Sequence, residues 1–366
     1  MILCSNPKAQ YRAHKPEIDK EISKVLESGQ YILGEQVQSF EREFAQYLGV
    51  NFAIGVGSGT EALHIALKAA GLGKGDEVIT VSHTAIATVA AIEVAGANPV
   101  LVDIESDFYT INPNKLKKAI SKKTRAIIPV HLYGQPADLA PIASFARQHR
   151  IHLIEDCAQA HGAMYKGKRI GSWGNLACFS FYPTKNLGAF GDGGAIVTSS
   201  KKLANTCRML REYGWSETKV SSIPGWSSRL DELQAAVLRV KLRYLDKDNE
   251  SRMKLAAMYD TLLAETDLIL PKKKARATHV YHQYVVRSER RDALRDFLMK
   301  KGIQTLIHYP IPVHLQPAYR GKVKTGGKLK ETEHAANKVL SLPIYPELTQ
   351  TQLRLVVKTI RAFFDQ

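Results

Sequence analysis

The sequence has no apolar run long enough to cross a bilayer, and no hydrophobic leader is read at its N-terminus. Cysteine is scarce: Cys4, Cys157, Cys178 and Cys207 are scattered and form no Cys-x-x-Cys pair. That spacing argues against a disulfide framework or a zinc site, so a cytoplasmic protein without a bound metal is expected. No internal repeat or low-complexity tract interrupts the chain. Acids are outnumbered, with 35 Asp and Glu against 51 Lys and Arg, for a formal net charge of +16. Such a balance raises nucleic acid as a partner. The longest basic cluster, at 271–276, has no interleaved aromatics and reads as a solvated connection. Neither nucleic acid nor membrane is therefore expected as a partner, whereas bulk positive charge would attract a nucleotide diphosphate.

What is present is an alternation. Two introductory helical patterns lie at 16–28 and 35–47. From residue 50, strand patterns at 52–57, 77–82, 99–103, 125–132, 151–155, 177–182 and 194–198 interleave with helical patterns at 60–71, 85–95, 113–121, 138–149 and 201–213. This order predicts an α/β fold, with a seven-stranded, mainly parallel sheet covered on both faces. Residues 215–227 read as a loop, and 230–263 as one long helical stretch leading out of the large domain. A strand at 280–286, a helix at 290–300, a strand near 303–307, an exposed loop at 319–330 and helices at about 330–340 and 350–364 predict a smaller C-terminal α+β domain. The boundary is drawn between residues 1–245 and 246–366.

Three constellations carry chemistry. Lys185 lies between the strand ending Phe179-Ser180-Phe181 and a cluster of Gly188, Gly191, Gly193 and Gly194, on a short constrained connection. A lysine in a partly dry pocket loses proton affinity and can form a Schiff base; a surface lysine beside a turn is the plain alternative. Upstream, an apolar strand ends in Glu155-Asp156, where open α/β sheets bind ligands. Asp156 fits the carboxylate that keeps the ring nitrogen of pyridoxal phosphate protonated, and it equally fits a helix cap. Finally, Gly57-Ser58-Gly59-Thr60 joins a strand to a helix, offering backbone N–H groups and hydroxyls to a phosphate. It is neither a P-loop nor a dinucleotide fingerprint.

These motifs sit among others in a fixed order: Gly-Ser-Gly-Thr-Glu-Ala at 57–62, Pro-Val-His-Leu-Tyr-Gly at 129–134 and Glu-Asp-Cys-Ala-Gln-Ala-His-Gly-Ala at 155–163. Ser-Phe-Tyr-Pro-Thr-Lys-Asn-Leu-Gly follows at 180–188, then Ser-Arg-Leu-Asp-Glu-Leu-Gln-Ala-Ala at 228–236 and His-Tyr-Pro-Ile-Pro-Val-His at 308–314. Over nearly its whole length the chain resembles the nucleotide-sugar aminotransferases, fold type I pyridoxal phosphate enzymes. The resemblance implies that Lys185 carries the cofactor and moves the proton, and that Asp156 faces its ring nitrogen. It implies that Gln159 bonds the phenolic oxygen, and that Ser58, Gly59, Thr60 and Ser180 hold the phosphate. Many relatives stack an aromatic on the ring where Ala85 stands here; His83 is the proposed cover in its place, with a helix-entry contact as the alternative.

In relatives a loop reaches the other subunit's cofactor through an Asn. Alignment puts Ser227 at that position, which implies a homodimer with shared active sites. Tyr31, Tyr182, Arg229, His308 and Tyr309 fall on the substrate side by the same resemblance. The expected substrates are L-glutamate and a nucleotide-diphosphate keto-sugar, for deoxyamino sugar biosynthesis. The Ser-His-Thr-Ala variant at 82–85 resembles the subgroup acting on 3-keto sugars, with a dTDP-linked 6-deoxyhexose expected. A 4-keto sugar enzyme and a catalytically silent basic binding protein are the rivals. A dehydratase on the same fold carries His in place of the lysine, and Lys185 argues against it.

Overall fold

The computed structural model describes residues 1–217 and 219–365. The introductory helices are Pro7–Ala13, Lys15–Ser28 and Glu35–Leu48. Gly29 and Gly49 end the second and third at φ of 68° and 70°, a conformation glycine adopts without steric cost.

The central sheet runs in the spatial order Phe52–Val56, Gly194–Thr198, Leu176–Ser180, His152–Asp156, Thr124–Ile127, Glu77–Val81, Asn98–Val102 and Lys324–Thr325. Gly194–Thr198 is antiparallel to both neighbours, and all other pairings are parallel. The inner strands are apolar on both faces because helices cover both sides, which is why they read as continuous apolar runs. Among the described residues the sheet thus has eight strands rather than seven. The extra one, Lys324–Thr325, lies in the segment assigned from sequence to an exposed loop. Both residues are exposed and the strand is two residues long, so no alternation announces it.

Other boundaries also move. The 125–132 strand pattern stops at Ile127, before Pro129, although Val130 still bridges to Asp156. The stretch 230–263 is two helices, Glu232–Leu242 and Leu245–Leu263, broken at Arg243-Tyr244. The 330–340 helix ends at Lys338, and Val339–Leu342 is a strand paired with Tyr284–Arg287. Among the described residues, the 303–307 stretch makes isolated bridges in place of a strand, Ile2 to Ile303 and Leu306 to Ser341. Helices Arg291–Lys300 and Gln350–Phe364 pack with this pair around Tyr259, Tyr284, Leu340 and Leu353. The basic run is not free in solvent either: Lys274 is buried against Glu105, and Lys272 pairs with Asp107 at 2.9 Å. Among the described residues no helix is long and apolar enough to cross a membrane.

Candidate active site

The carboxyl ends of the parallel strands and the following turns close around a cavity of about 240 Å³. Its walls include Ser58, Gly59, Thr60, Thr84, Ala85, Asp156, Gln159, Ser180, Tyr182, Lys185 and Asp192. Lysine, acid and glycine-rich helix start, drawn from three separate segments between residues 58 and 185, therefore meet in one place.

The cradle forms because Ser58 caps the helix Gly59–Ala69, its side chain accepting from the Glu61 N–H at 3.2 Å. A Cβ on Gly59 would stand 2.5 Å from Ser180 Cβ, and one on Gly194 would meet the Ser58 carbonyl. Only glycines let these backbones approach so closely. Behind them the Ser228 hydroxyl accepts from the Gly57 N–H at 3.1 Å. Arg211 pairs with Glu41 at 2.5 Å and donates to the Gly55 carbonyl at 3.0 Å, bracing the strand that feeds the cradle.

Asp156 is buried at the end of its strand. Its Oδ2 accepts from the Thr88 hydroxyl at 2.8 Å, and its Oδ1 from the Ala158 N–H at 3.1 Å. Burial raises its pKa above the ordinary value, opposed by these two bonds and by the charge of Lys185. Thr84 and Thr88 share a hydroxyl hydrogen bond of 2.9 Å, so a buried chain runs from the cavity wall to the carboxylate. Lys185 is pushed down to about 8 by burial, with Asp156 acting the other way. At pH 7 about a tenth of its amine is then neutral, far more than for an ordinary lysine, which helps it act as nucleophile or base.

Gln159 accepts from the Tyr133 N–H at 2.7 Å and donates to the Tyr309 hydroxyl at 3.1 Å. The Tyr133 hydroxyl donates to the His308 carbonyl and meets His83 Nε2 at 2.8 Å. Tyr133 holds φ at 60°, uncommon for a residue with a side chain and frequent at functional sites. Tyr309 thus joins the cavity through Gln159. His308, with its ring on Ser341 at 2.9 Å, is pushed down to about 4 by burial and by the Lys185 charge. His83 is fully buried on Tyr133 and is not among the cavity's wall residues. Ser227, Arg229 and Tyr31 also lie off the wall: Ser227 is exposed and bridges to Glu212, while Tyr31 is half exposed with its hydroxyl on the Leu26 carbonyl.

The sequence reading missed Thr88, Thr84, Tyr133 and Ser228. Thr84 and Thr88 stand four apart where a helix begins, a spacing that puts both on one side. Ser228 adjoins the aligned Ser227, and only the fold tells the two apart.

One cluster has metal-like composition. Ligand atoms of His131, Glu155 and Cys157 lie within 4.8 Å of one another. The fold already uses them: Glu155 accepts from the N–H groups of Gly171, Trp173 and Gly174 at 2.8 to 3.0 Å and meets His131 Nε2 at 3.2 Å. His131 Nδ1 accepts from the Ala137 N–H at 3.0 Å, and burial holds the Cys157 thiol protonated.

The cavity fits pyridoxal phosphate. It offers an amine of lowered basicity, a buried carboxylate held in place by two donors, and a helix start whose glycines leave room for a phosphate.

Comparison with known proteins agrees. Residues 12–361 match the DegT/DnrJ/EryC1/StrS aminotransferase family. A dTDP-3-amino-3,4,6-trideoxy-alpha-D-glucose transaminase of Streptomyces venezuelae is 48% identical over 360 residues, covering 98% of this chain and 95% of the relative. A dTDP-3-amino-3,6-dideoxy-alpha-D-galactopyranose transaminase of Aneurinibacillus thermoaerophilus is 45% identical over 350 residues, covering 96% of each chain. Among solved structures, S. venezuelae DesV in complex with a ketimine intermediate superposes with a TM-score of 0.97 at 47% identity, covering 100% of this chain and 99% of that one. The chain belongs to the DegT/DnrJ/EryC1/StrS aminotransferase family and is a pyridoxal phosphate-dependent transaminase.

Proposed function

We propose that the protein transfers the amino group of L-glutamate to the C3 keto carbon of a dTDP-linked 6-deoxy keto-hexose, giving a 3-amino-3,6-dideoxyhexose. The observation that carries the chemistry is Lys185, depressed to about 8, in one cavity with Asp156 and the cradle. The keto position rests on the relatives, whose names place the amine at C3, and on the Ser-His-Thr-Ala segment at 82–85. A 4-keto substrate is the second reading.

When bound, the cofactor supplies an electron sink for the carbanion formed at the donor's α-carbon. The chain's residues do the rest. Asp156, held by Thr88 and Ala158, is the anion that keeps a proton on the ring nitrogen. Ser58, Gly59, Thr60 and Ser180 would hold the phosphate, and Gln159 would bond the phenolic oxygen. Lys185 Nζ would take the proton from the donor α-carbon and return it to C4′ of the cofactor. The lowered basicity of this amine suits it to both steps at neutral pH. Tyr182 at the cavity wall, Tyr309 behind Gln159, and His308, Arg229 and Tyr31 off the wall are the sugar-side residues. His83, buried off the wall, would support the ring's site from behind through Tyr133.

The enzyme works as a homodimer in the cytoplasm, with Ser227, exposed and away from its own cavity, contacting the partner's cofactor phosphate. Glutamate offered to a panel of dTDP-keto-hexoses, with the new amine located by NMR, tests the reading. Amination at C3 is expected, and amination at C4 would replace it with the second reading. A fully active monomer in sedimentation would refute the dimer.

A further inference from the structure

The loop that presents Lys185 is held from below by a second buried lysine. The chain leaves the strand Leu176–Ser180, turns through Pro183 and Lys185, and returns past Gly188. The turn is tight: the Lys185 N–H donates to the Tyr182 carbonyl at 2.9 Å, and the Ala189 N–H to the Phe181 carbonyl at 2.7 Å. A Cβ on Gly188 would stand 2.5 Å from the Pro183 carbonyl oxygen. The two legs of the loop therefore touch, and Lys185 rides on the arch between them.

The helix Glu232–Leu242 fixes the returning leg at two points. Gln234 Oε1 accepts from the Phe190 N–H at 2.8 Å, and the Lys241 amine donates to the Gly188 carbonyl. Lys241 is 1% exposed. Its amine lies 5.1 Å from the centre of the Phe190 ring. The carboxylates of Asp248 and Glu347 attract it without reaching it as hydrogen-bond partners, and Arg252 repels it. Burial brings it down to about 7.

An amine in this setting is a poor choice for stability. A methionine of similar length would fill the same space without desolvating a charge. What methionine cannot do is donate to the Gly188 carbonyl. We propose that Lys241 is a positioning residue for the transamination: its bond to Gly188 sets the arch so that the Lys185 side chain points into the cavity. The inference rests on Lys185 being the reacting amine.

The test uses K241M and K241Q. In the cofactor-free protein, acylation of Lys185 by acetic anhydride is followed against pH by peptide mapping, alongside kcat and donor KM of the loaded enzyme. In K241M, Lys185 is expected to titrate above the wild-type value of about 8, moving towards the ordinary lysine value of about 10.4 as water reaches the loosened arch. kcat is expected to fall about tenfold, the scale of one hydrogen bond to a charged group, with donor KM little changed and the melting temperature no lower than wild type. K241Q, whose amide can still donate to Gly188, should recover part of both effects. If Lys185 titration and kcat in K241M match wild type, the inference is overturned. Loss of folding in both variants would overturn it too, by making Lys241 a residue of the core. If wild-type Lys185 shows no depressed titration at all, the assignment of Lys185 itself is what fails.

Discussion

Glu155 and Asp156 are neighbours at the end of one strand, yet they serve opposite regions of the molecule. Alternation along a strand sends successive side chains to opposite faces. Glu155 goes to the face carrying residues 171–174 and His131, where three N–H groups and an imidazole occupy its oxygens. Burial pulls its carboxyl up, but His131 and the N–H groups of Gly171 and Gly174 outweigh that and hold it below the ordinary range. Asp156 goes to the cavity, where two donors do not offset its burial and its pKa stays raised. One acid holds the fold together; the other is kept at some cost to the fold for a cation that binds against it. In the sequence the pair is simply two acids.

The comparison can be broken by substitution, and the largest effect should come on the cavity side. K185A is expected to lower turnover by about 10³-fold or more, as loss of both covalent attachment and a positioned acid–base group implies. D156N should lower it by about 10²-fold while leaving the melting temperature at pH 7 unchanged or higher. The sign follows from linkage. A carboxyl with a raised folded-state pKa opposes folding once the pH exceeds its unfolded value, so removing it relieves a penalty.

E155Q should do the reverse. It leaves kcat per folded molecule near wild type and destabilises the fold by about 1.5–3 kcal/mol, the cost of losing hydrogen bonds to a buried charged group, read by urea unfolding. Because the Glu155 pKa is lowered on folding, its contribution is present above about pH 4.3 and is lost as the pH falls through the lowered value. The E155Q deficit should therefore shrink in acid. Equal effects of D156N and E155Q on stability would erase the distinction.

T88V sharpens it further. Losing the one side-chain donor to Asp156 should cost about 1.5–3 kcal/mol of support for the anion, read as a kcat loss of about tenfold with the fold retained. The smallest expected effect is S58A, which removes the helix cap for about 1 kcal/mol of stability and weakens cofactor binding a few-fold in a spectroscopic titration.

How much of this was legible in sequence follows the same physics. The inner strands were readable because burial on both faces makes them continuous apolar runs, as in Val78-Ile79 and Ala195-Ile196-Val197. Lys185, Asp156 and the 57–60 turn were readable because they sit in an ordered set of motifs that resembles a known family. Lys324–Thr325 was invisible because an exposed two-residue edge strand carries no pattern. The strand Val339–Leu342 was read as the end of a helix because the helix Lys330–Lys338 runs straight into it. Thr88 was missed because its role depends on where a helix start falls against a strand end 68 residues away. Lys241 falls inside the 230–263 helical pattern, and only the fold shows that its amine is buried under the catalytic loop.

The most direct test of the central claim is borohydride reduction of the purified holoenzyme followed by peptide mapping. A single reduced cofactor adduct on Lys185, lost in K185A and retained in E155Q, is the predicted result. An adduct on another lysine, or none, would contradict the account.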